Sequence, residues 1–411
     1  MKILQINKFL YPKGGDAIAT IAVGELLSLK GHKVVYWGMR HSLNPKYEYE
    51  DLFINNVTFE NNNNLFSKLK LATNILYSFE AKKKIEKLIK KDRPDIVHLH
   101  NFAHQISPSI LHVFRKYKIP IIMTMHDYKL VCPVYTLLGN NKVCEKCRYG
   151  KYFNCLKNKC TKNSRMKSVI STIEMYLHHK ILHIYNLVDV FISPSRFLKR
   201  KLEEMGFKGK TVYLPNFVQI NEFIPKYGGN ENYIVYFGRI SKEKGISALI
   251  EAVKELDVRL KIIGEGPTRD VLCRRVNDEK IGNVEFLGYR KDRELKDEIR
   301  KAMFVMVPSE WYENNPISIL EAFALGKPVI GSRIGGIPEL VKDGETGLLF
   351  ESGNSQNLRE KIEYLLNHPE DVLRMGKNAR QLVEREYNPD LHYKKLMEIY
   401  DCAINKHKKS N

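Results

Sequence analysis

The chain has no run of 18 apolar residues, so nothing in it reads as a membrane-spanning helix. Its opening, MKILQINKFLYP, carries an apolar run too short for a secretory leader and broken by polar residues. It reads instead as a first β-strand. Without an export signal, the seven cysteines do not default to disulfides. The first glycine turn is not a GxGxxG, so it lacks the full dinucleotide fingerprint. The basic runs lack the interleaved aromatics of an RNA-binding sheet, and no nucleic-acid motif is present. No lysine-bearing cofactor segment is evident either.

At 411 residues the expectation is two domains, and 43% hydrophobic with 28% charged residues is a globular composition. The net charge of +20 is lopsided. Residues 1–215 hold 36 Lys and Arg against 16 Asp and Glu, whereas residues 216–411 hold 31 of each. A basic first half implies an anionic partner: a membrane surface, a nucleic acid or an anionic lipid-linked substrate. The missing nucleic-acid motifs weigh against the second. Residues 67–91 read as one basic amphipathic helix. Leu69, Ala72, Leu76, Phe79, Ile85, Leu88 and Ile89 form its apolar side, for a sheet or for a bilayer.

Strand, glycine-rich turn, helix and strand follow one another from residue 2 to Trp37, the opening of a parallel α/β domain. The Gly14-Gly15 pair in that turn allows close backbone approach to a phosphate or sugar, and equally makes a tight turn. Two further strands end at His100 and at His126-Asp127. Ligands of open parallel sheets bind beyond the carboxyl ends of strands, which marks these three side chains. His98 points inward and reads as structural. A polar stretch from Asn221 to Asn232 reads as the linker to a second α/β domain. There a strand runs into Gly238-Arg239 and on to Lys244-Gly245, a glycine turn with two long cations that suits a diphosphate. Gly335-Gly336 before a helix is another candidate phosphate nest.

Cys144, Cys147, Cys155 and Cys160 are spaced C-x2-C-x7-C-x4-C in a lysine-rich segment, with Cys132 just before. A structural zinc site, free thiols and an iron–sulfur cluster are all compatible with that spacing. Four thiolates would close a coordination shell, so no catalytic metal is expected there.

The second domain also contains Pro308–Ala322, PSEWYENNPISILEA. Asn314 and Asn315 are candidate N-caps and Pro316 stands at the first helical position, with Ile317, Ile319, Leu320 and Phe323 as the apolar face. Glu313 then falls in the loop at the helix mouth, and Glu321 inside the helix. Helical acids eight residues apart would lie about 12 Å apart along the axis, beyond a glycosidase carboxylate pair. Each acid is better read as accepting hydrogen bonds from different hydroxyls of one extended ligand.

Over almost its full length the chain resembles the retaining glycosyltransferases of family 4. The resemblance rests on GGDAIAT from Gly14, DIVHLH, TMHD, FGRISKEKG, GEGP, GGIPELV, DGETG and, above all, the Glu-x7-Glu pattern Glu313–Glu321 in ENNPISILEA. It implies a GT-B fold, with two Rossmann-like parallel-sheet domains facing each other across a cleft. Residues 1–215 would form the acceptor-side domain, with a Cys-rich insertion at about 132–162 and a C-terminal helix at about 388–404 packing back on it. Residues 216–387 would bind the nucleotide sugar. By the same resemblance Arg239 and Lys244 bind the donor diphosphate beside Gly238. Glu321 holds the ribose hydroxyls, and Glu313 touches the transferred sugar. Backbone groups from Asn314 through Asn315 and Pro316 to Ile317 cradle sugar and phosphate. Gly14 and Gly15 approach the phosphate or acceptor, and His126 hydrogen-bonds the reacting sugar. Asn314-Asn315-Pro316 replaces the family's small, Gly-containing segment, which puts the sugar pocket in question.

The implied reaction is transfer with retention from a UDP-sugar or GDP-sugar, without a catalytic metal. The acceptor is a saccharide, expected to be polyprenyl-diphosphate-linked, at the cytoplasmic face of the cell membrane, in polysaccharide or glycolipid assembly. Two alternatives stand beside this reading. One is a transferase with a small soluble acceptor; the other, of a different class, is a zinc-stapled nucleic-acid-binding protein. A sugar-phosphate epimerase or phosphorylase would share the two-domain fold but not the Glu-x7-Glu pattern.

Overall fold

The computed structural model describes residues 1–56, 73–140, 142–228 and 231–409. They form two compact units. The first comprises Met1–Asn140, Cys144–Leu214 and the chain from Tyr393 onward; the second is built on Pro215–His392.

The sheet of the first unit has six strands: β1 (Lys2–Ile6), β2 (Lys33–Trp37), β3 (Ile96–Leu99), β4 (Ile121–Thr124), β5 (Val190–Ser193) and β6 (Thr211–Tyr213). Their order is β2-β1-β3-β4-β5-β6, all parallel. The second unit contributes β7 (Tyr233–Phe237), β8 (Arg259–Ile263), β9 (Val284–Gly288), β10 (Val305–Val307), β11 (Val329–Ser332) and β12 (Gly347–Phe350). Their order is β9-β8-β7-β10-β11-β12, again parallel. Strands covered on both faces must be apolar throughout, and YIVYF in β7 is buried at every position. Leu4 in β1 sits between Val35 and Val97, and Val235 in β7 between Lys261 and Val305.

In each sheet the chain order reverses once beside the first strand, between β1 and β3 and between β7 and β10. Loops leaving the carboxyl ends of those strands are thereby set side by side, the usual ligand position of such sheets. The glycine loops read from the sequence lie at these two points.

Three expectations change. The helix over 67–91 is not continuous. Residues 73–76 are helical, Tyr77 and Ser78 break the run, and Ser78 caps a separate helix, Phe79–Lys91, by accepting from the Ala81 N–H at 3.2 Å. Residues 67–72, with Leu69 and Ala72, lie outside the described residues. Ala81, Ile85, Leu88 and Ile89 are buried in the first unit, so this part of the apolar side is spent on the fold, and Phe79 is exposed. Among the described residues no helix is long and apolar enough to cross a membrane.

The cysteines are the second change. Cys144, Cys147, Cys155 and Cys160 form no group placed to hold a metal ion, nor do any other described His, Cys, Asp or Glu residues. Cys147 and Cys155 instead enter an apolar cluster with Tyr152 and Met175, against which Cys160 packs. Burial pushes the Cys147 thiol up to about 12.

The third concerns the mouth of the Glu-x7-Glu helix. The helix runs Ile317–Ala324, and Pro316, not an asparagine, occupies the N-cap without a side-chain bond. Asn315 is buried and paired with Asn216, whose backbone N–H reaches its Oδ1 at 3.2 Å and whose amide reaches its carbonyl at 3.0 Å.

Candidate active site

In the second unit, β7 ends in Gly238 and Arg239, and a short 3-10 helix, Lys242–Lys244, brings the chain to Gly245. Gly245 has φ +68°, and a Cβ there would stand 1.9 Å from the Pro308 carbonyl oxygen. Only glycine lets the loop after β7 press against the loop after β10. The Glu310 N–H then donates to the Glu243 carbonyl at 2.8 Å. That contact brings Lys244 Nζ to 2.5 Å from Glu313 Oε1, across 69 positions of sequence.

Glu313 is tightly held. Ser309 Oγ donates to the same oxygen at 2.6 Å. The Ser309 carbonyl is in turn gripped by Ser332 Oγ at 2.6 Å and Ser352 Oγ at 3.0 Å. The Glu313 carbonyl accepts from the Gly336 N–H at 2.7 Å. Burial pushes the Glu313 carboxyl up, but the charge and hydrogen bond of Lys244 and the Ser309 hydroxyl outweigh it, and its pKa lies below the ordinary carboxylate value. Glu313 is an anion fixed in place, with 8% of its side chain exposed.

The Gly335-Gly336 pair therefore does different work from a phosphate nest, since the Gly336 N–H is already spent on Glu313. Gly335 has φ +62°, and a Cβ would meet the Glu313 carbonyl oxygen at 2.4 Å and its nitrogen at 2.5 Å. Gly335→Ala is expected to cost about 2–4 kcal/mol through left-handed strain and overpacking. It should also displace Glu313. Urea unfolding checks the first effect; a cost under 1 kcal/mol would mean the loop yields freely.

Glu321 is different. It sits one turn from the end of Ile317–Ala324 with no hydrogen-bond or ion-pair partner among the described residues. Burial raises its pKa to about 7, opposed only by the charge of Lys296. For an acid, a folded-state pKa above the unfolded one means that ionisation opposes folding. Stability falls as pH rises from about 4.5 to 7. Glu321→Gln should stabilise the ligand-free protein by about 2 kcal/mol at pH 8 and leave it unchanged at pH 4.5. Denaturant titrations at the two pH values check this, and an equal effect at both would refute it. A half-buried, unpaired carboxylate is what incoming hydroxyls can satisfy. Arg239, also exposed, joins neither the Lys244–Glu313 pair nor Glu321.

In the first unit, Gly14 caps the helix Gly15–Leu29 in extended backbone. A Cβ at Gly15 would meet nothing within 4 Å and one at Gly14 only Asp16 Oδ1 at 3.4 Å, so open space lies over this helix N-terminus. The free N–H groups there suit an anion. From β3 and β4 come stacked imidazoles: His98 on His100 at 4.3 Å and His100 on His126 at 5.2 Å between centroids. His98 bridges Thr124 and Tyr400, each at 2.7 Å, confirming its structural place and tying in the helix Pro389–Lys409. His100 links Gln5 Oε1 at 2.8 Å to His126 Nε2 at 2.9 Å. Burial lowers the His126 pKa to about 4, so the ring is neutral at pH 7. Asp127 accepts from the Lys129 N–H at 2.9 Å and from Asn101 Nδ2 at 3.4 Å, which makes it a brace between loops.

Ser309 and Gly335 escaped the sequence reading. Ser309 stands four residues before Glu313 in an irregular loop, where no period predicts a contact. Gly335 reads from the sequence as part of a candidate phosphate nest, and nothing local ties it to Glu313.

Two parallel α/β units, with cations and carboxylates gathered on glycine-pinned loops at strand ends, define a glycosyltransferase of the GT-B fold. The family model Glycosyltransferase Family 4 matches residues 14–222, and Glycosyl transferases group 1 matches residues 219–382. The chain belongs to Glycosyltransferase Family 4. It is 28% identical to an uncharacterized glycosyltransferase, MJ1178, of Methanocaldococcus jannaschii over 82% of each chain. It is 25% identical to the N-acetyl-alpha-D-glucosaminyl L-malate synthase of Bacillus anthracis over 97% of this chain and 96% of that one. An amylovoran biosynthesis glycosyltransferase of Erwinia amylovora matches at 30% identity over 41% of this chain and 44% of its own. Among solved structures, sucrose-phosphate synthase of Thermosynechococcus elongatus superposes with a TM-score of 0.72 at 19% identity, covering 98% and 99% of the two chains. Anabaena HepE in complex with UDP and glucose gives 0.69 at 17% identity, over 98% and 100%.

Proposed function

We propose that the protein is a retaining glycosyltransferase. It would move a sugar from a nucleoside-diphosphate sugar, UDP- or GDP-linked, to a membrane-lipid-linked saccharide in surface polysaccharide or glycolipid assembly. The observation that carries the donor side is the 2.5 Å Lys244–Glu313 pair, between two loops pressed together at Gly245. Lys244, with Arg239 from the same loop, would take the diphosphate, and Glu321 the ribose hydroxyls. Glu313 would hold hydroxyls of the transferred sugar, with the Asn314–Ile317 backbone alongside. His126, neutral, is fit to hydrogen-bond a sugar hydroxyl, and Gly14-Gly15 leave room for phosphate or acceptor.

The chemistry follows from charge. As the glycosidic bond lengthens, positive charge develops on the sugar and negative charge on the departing diphosphate. Lys244, held by Glu313, and the exposed Arg239 would stabilise the latter. The acceptor hydroxyl would attack from the leaving-group face, and its proton would pass to the departing phosphate, giving retention. UDP bound to HepE supports a uridine donor, and the amylovoran relative supports a polysaccharide role. The basic first half supports attraction to an anionic membrane surface, and so a peripheral position on the cytoplasmic face of the membrane.

Two experiments test this. Calorimetric titration with UDP and GDP should show Glu321→Ala weakening nucleotide binding by about 10- to 100-fold; unchanged affinity would remove Glu321 from the donor site. Co-sedimentation with phosphatidylglycerol vesicles should be strong at low salt and lost at high salt. Indifference to the vesicles would favour a small soluble acceptor.

A further inference from the structure

A second constellation in the first unit takes no part in the donor chemistry. Glu174, on the helix Arg165–Tyr176, is completely buried. Its Oε2 accepts from Lys129 Nζ at 2.8 Å and stands 3.1 Å from His104 Nδ1. Its Oε1 is buried with no hydrogen-bond partner among the described residues. The nearby imidazole, His178, gives its Nε2 proton to the Leu76 carbonyl at 2.7 Å, so its Nδ1, 4.0 Å from that oxygen, carries a lone pair and cannot donate.

The arrangement fixes His104. A carboxylate only accepts, so Nδ1 carries a proton and is spent on Glu174, which leaves Nε2 as the ring's other polar atom. Nε2 has no partner among the described residues, and 22% of the side chain is exposed. His104 lies on the loop after β3, at the carboxyl edge of the sheet, and holds φ +64°. A non-glycine residue in that region is strained, and such strain gathers at ligand sites. Edge-on to His104, 6.4 Å between centroids, is Tyr135, itself at φ +56° and 47% exposed. A ring nitrogen without a protein partner beside an exposed aromatic ring is the chemistry of a sugar subsite: a hydroxyl, which both donates and accepts, meets the nitrogen and an apolar sugar face meets the ring.

We infer that His104 and Tyr135 form an acceptor-saccharide subsite, with His104 Nε2 hydrogen-bonding an acceptor hydroxyl and Glu174 acting as the residue that positions it. The assignment to acceptor rather than donor rests on the glycosyltransferase reading above. The subsite itself does not.

The test uses the full chain and p-nitrophenyl hexosides as probes. Nitrogen NMR of histidine-labelled protein, assigned through His104→Gln, should show Nδ1 protonated, with Nε2 shifting when a hexoside is added. His104→Ala and Tyr135→Ala should each raise the KM for the hexoside about tenfold, with the dissociation constant for UDP within twofold of wild type. A bare Nδ1, no shift with any hexoside, or equal losses for hexoside and UDP would overturn the subsite. Glu174→Gln leaves Lys129 buried without a counter-charge and can fail to fold, so the two rim variants carry the decision. Failure of every sugar nucleotide to bind the wild type would defeat the transferase reading alone, while the NMR result would still judge the subsite.

Discussion

Exchanging Lys244 for methionine is expected to lower the kcat/KM of sugar transfer by roughly 10²–10³-fold, the usual cost of losing one preorganised group that meets developing charge. The side chain is only 23% exposed and its ammonium is already aimed by Glu313. A second effect appears without substrate. The Glu313 anion is left buried without its counter-charge, at a cost of about 2–4 kcal/mol. The sign with pH follows from the depressed pKa of Glu313. Its pairing stabilises the protein above the unfolded carboxylate range and is lost as pH falls through that range. The deficit of Lys244→Met should therefore be largest at neutral pH and shrink below about pH 4.5. Steady-state kinetics and urea titrations across pH measure both effects. A neutral-pH deficit that persists unchanged in acid would mean that the pair is not what Lys244 contributes.

Glu313→Gln should act on turnover and spare the nucleotide. The amide keeps the Ser309 contact but loses the charge that stabilises positive character on the sugar. A fall of roughly 10²-fold in kcat is expected. UDP affinity should stay within about threefold or tighten, because Lys244 no longer needs to leave a carboxylate to reach phosphate. Matched losses in kcat and UDP affinity would contradict this division and place Glu313 on the nucleotide instead.

How much of this was legible in the sequence depended on the range of the physics. YIVYF and IVHL announce buried parallel strands by composition alone, and the Glu-x7-Glu spacing put one acid in a loop and the other in a helix, as found. His100 and His126 stood out because strand ends are where open sheets bind ligands. The Lys244–Glu313 pair was not legible. It depends on β7 lying beside β10, a choice of strand order that no local pattern encodes. The Asn314 and Asn315 caps failed because Asn315 gains more by pairing with Asn216 than by capping. The helix over 67–91 failed because Ser78 offers a better start than continuation through Tyr77. The cysteine spacing fits a metal site, yet Cys147 and Cys155 go to apolar packing with Met175. For the caps and the cysteines a tertiary contact outweighed a local preference, while at Ser78 one local preference outweighed another.

Thermal unfolding in the presence of UDP-, GDP- and dTDP-sugars tests the donor site most directly. A ligand that binds only the folded protein raises its midpoint, by about 2.7 kcal/mol of stabilisation at 100 times its dissociation constant. At least one sugar nucleotide should raise the wild-type midpoint by several degrees, and Glu321→Ala should lose most of that shift. A wild-type protein whose midpoint moves with none of them would contradict a nucleotide-sugar site built on Lys244, Glu313 and Glu321.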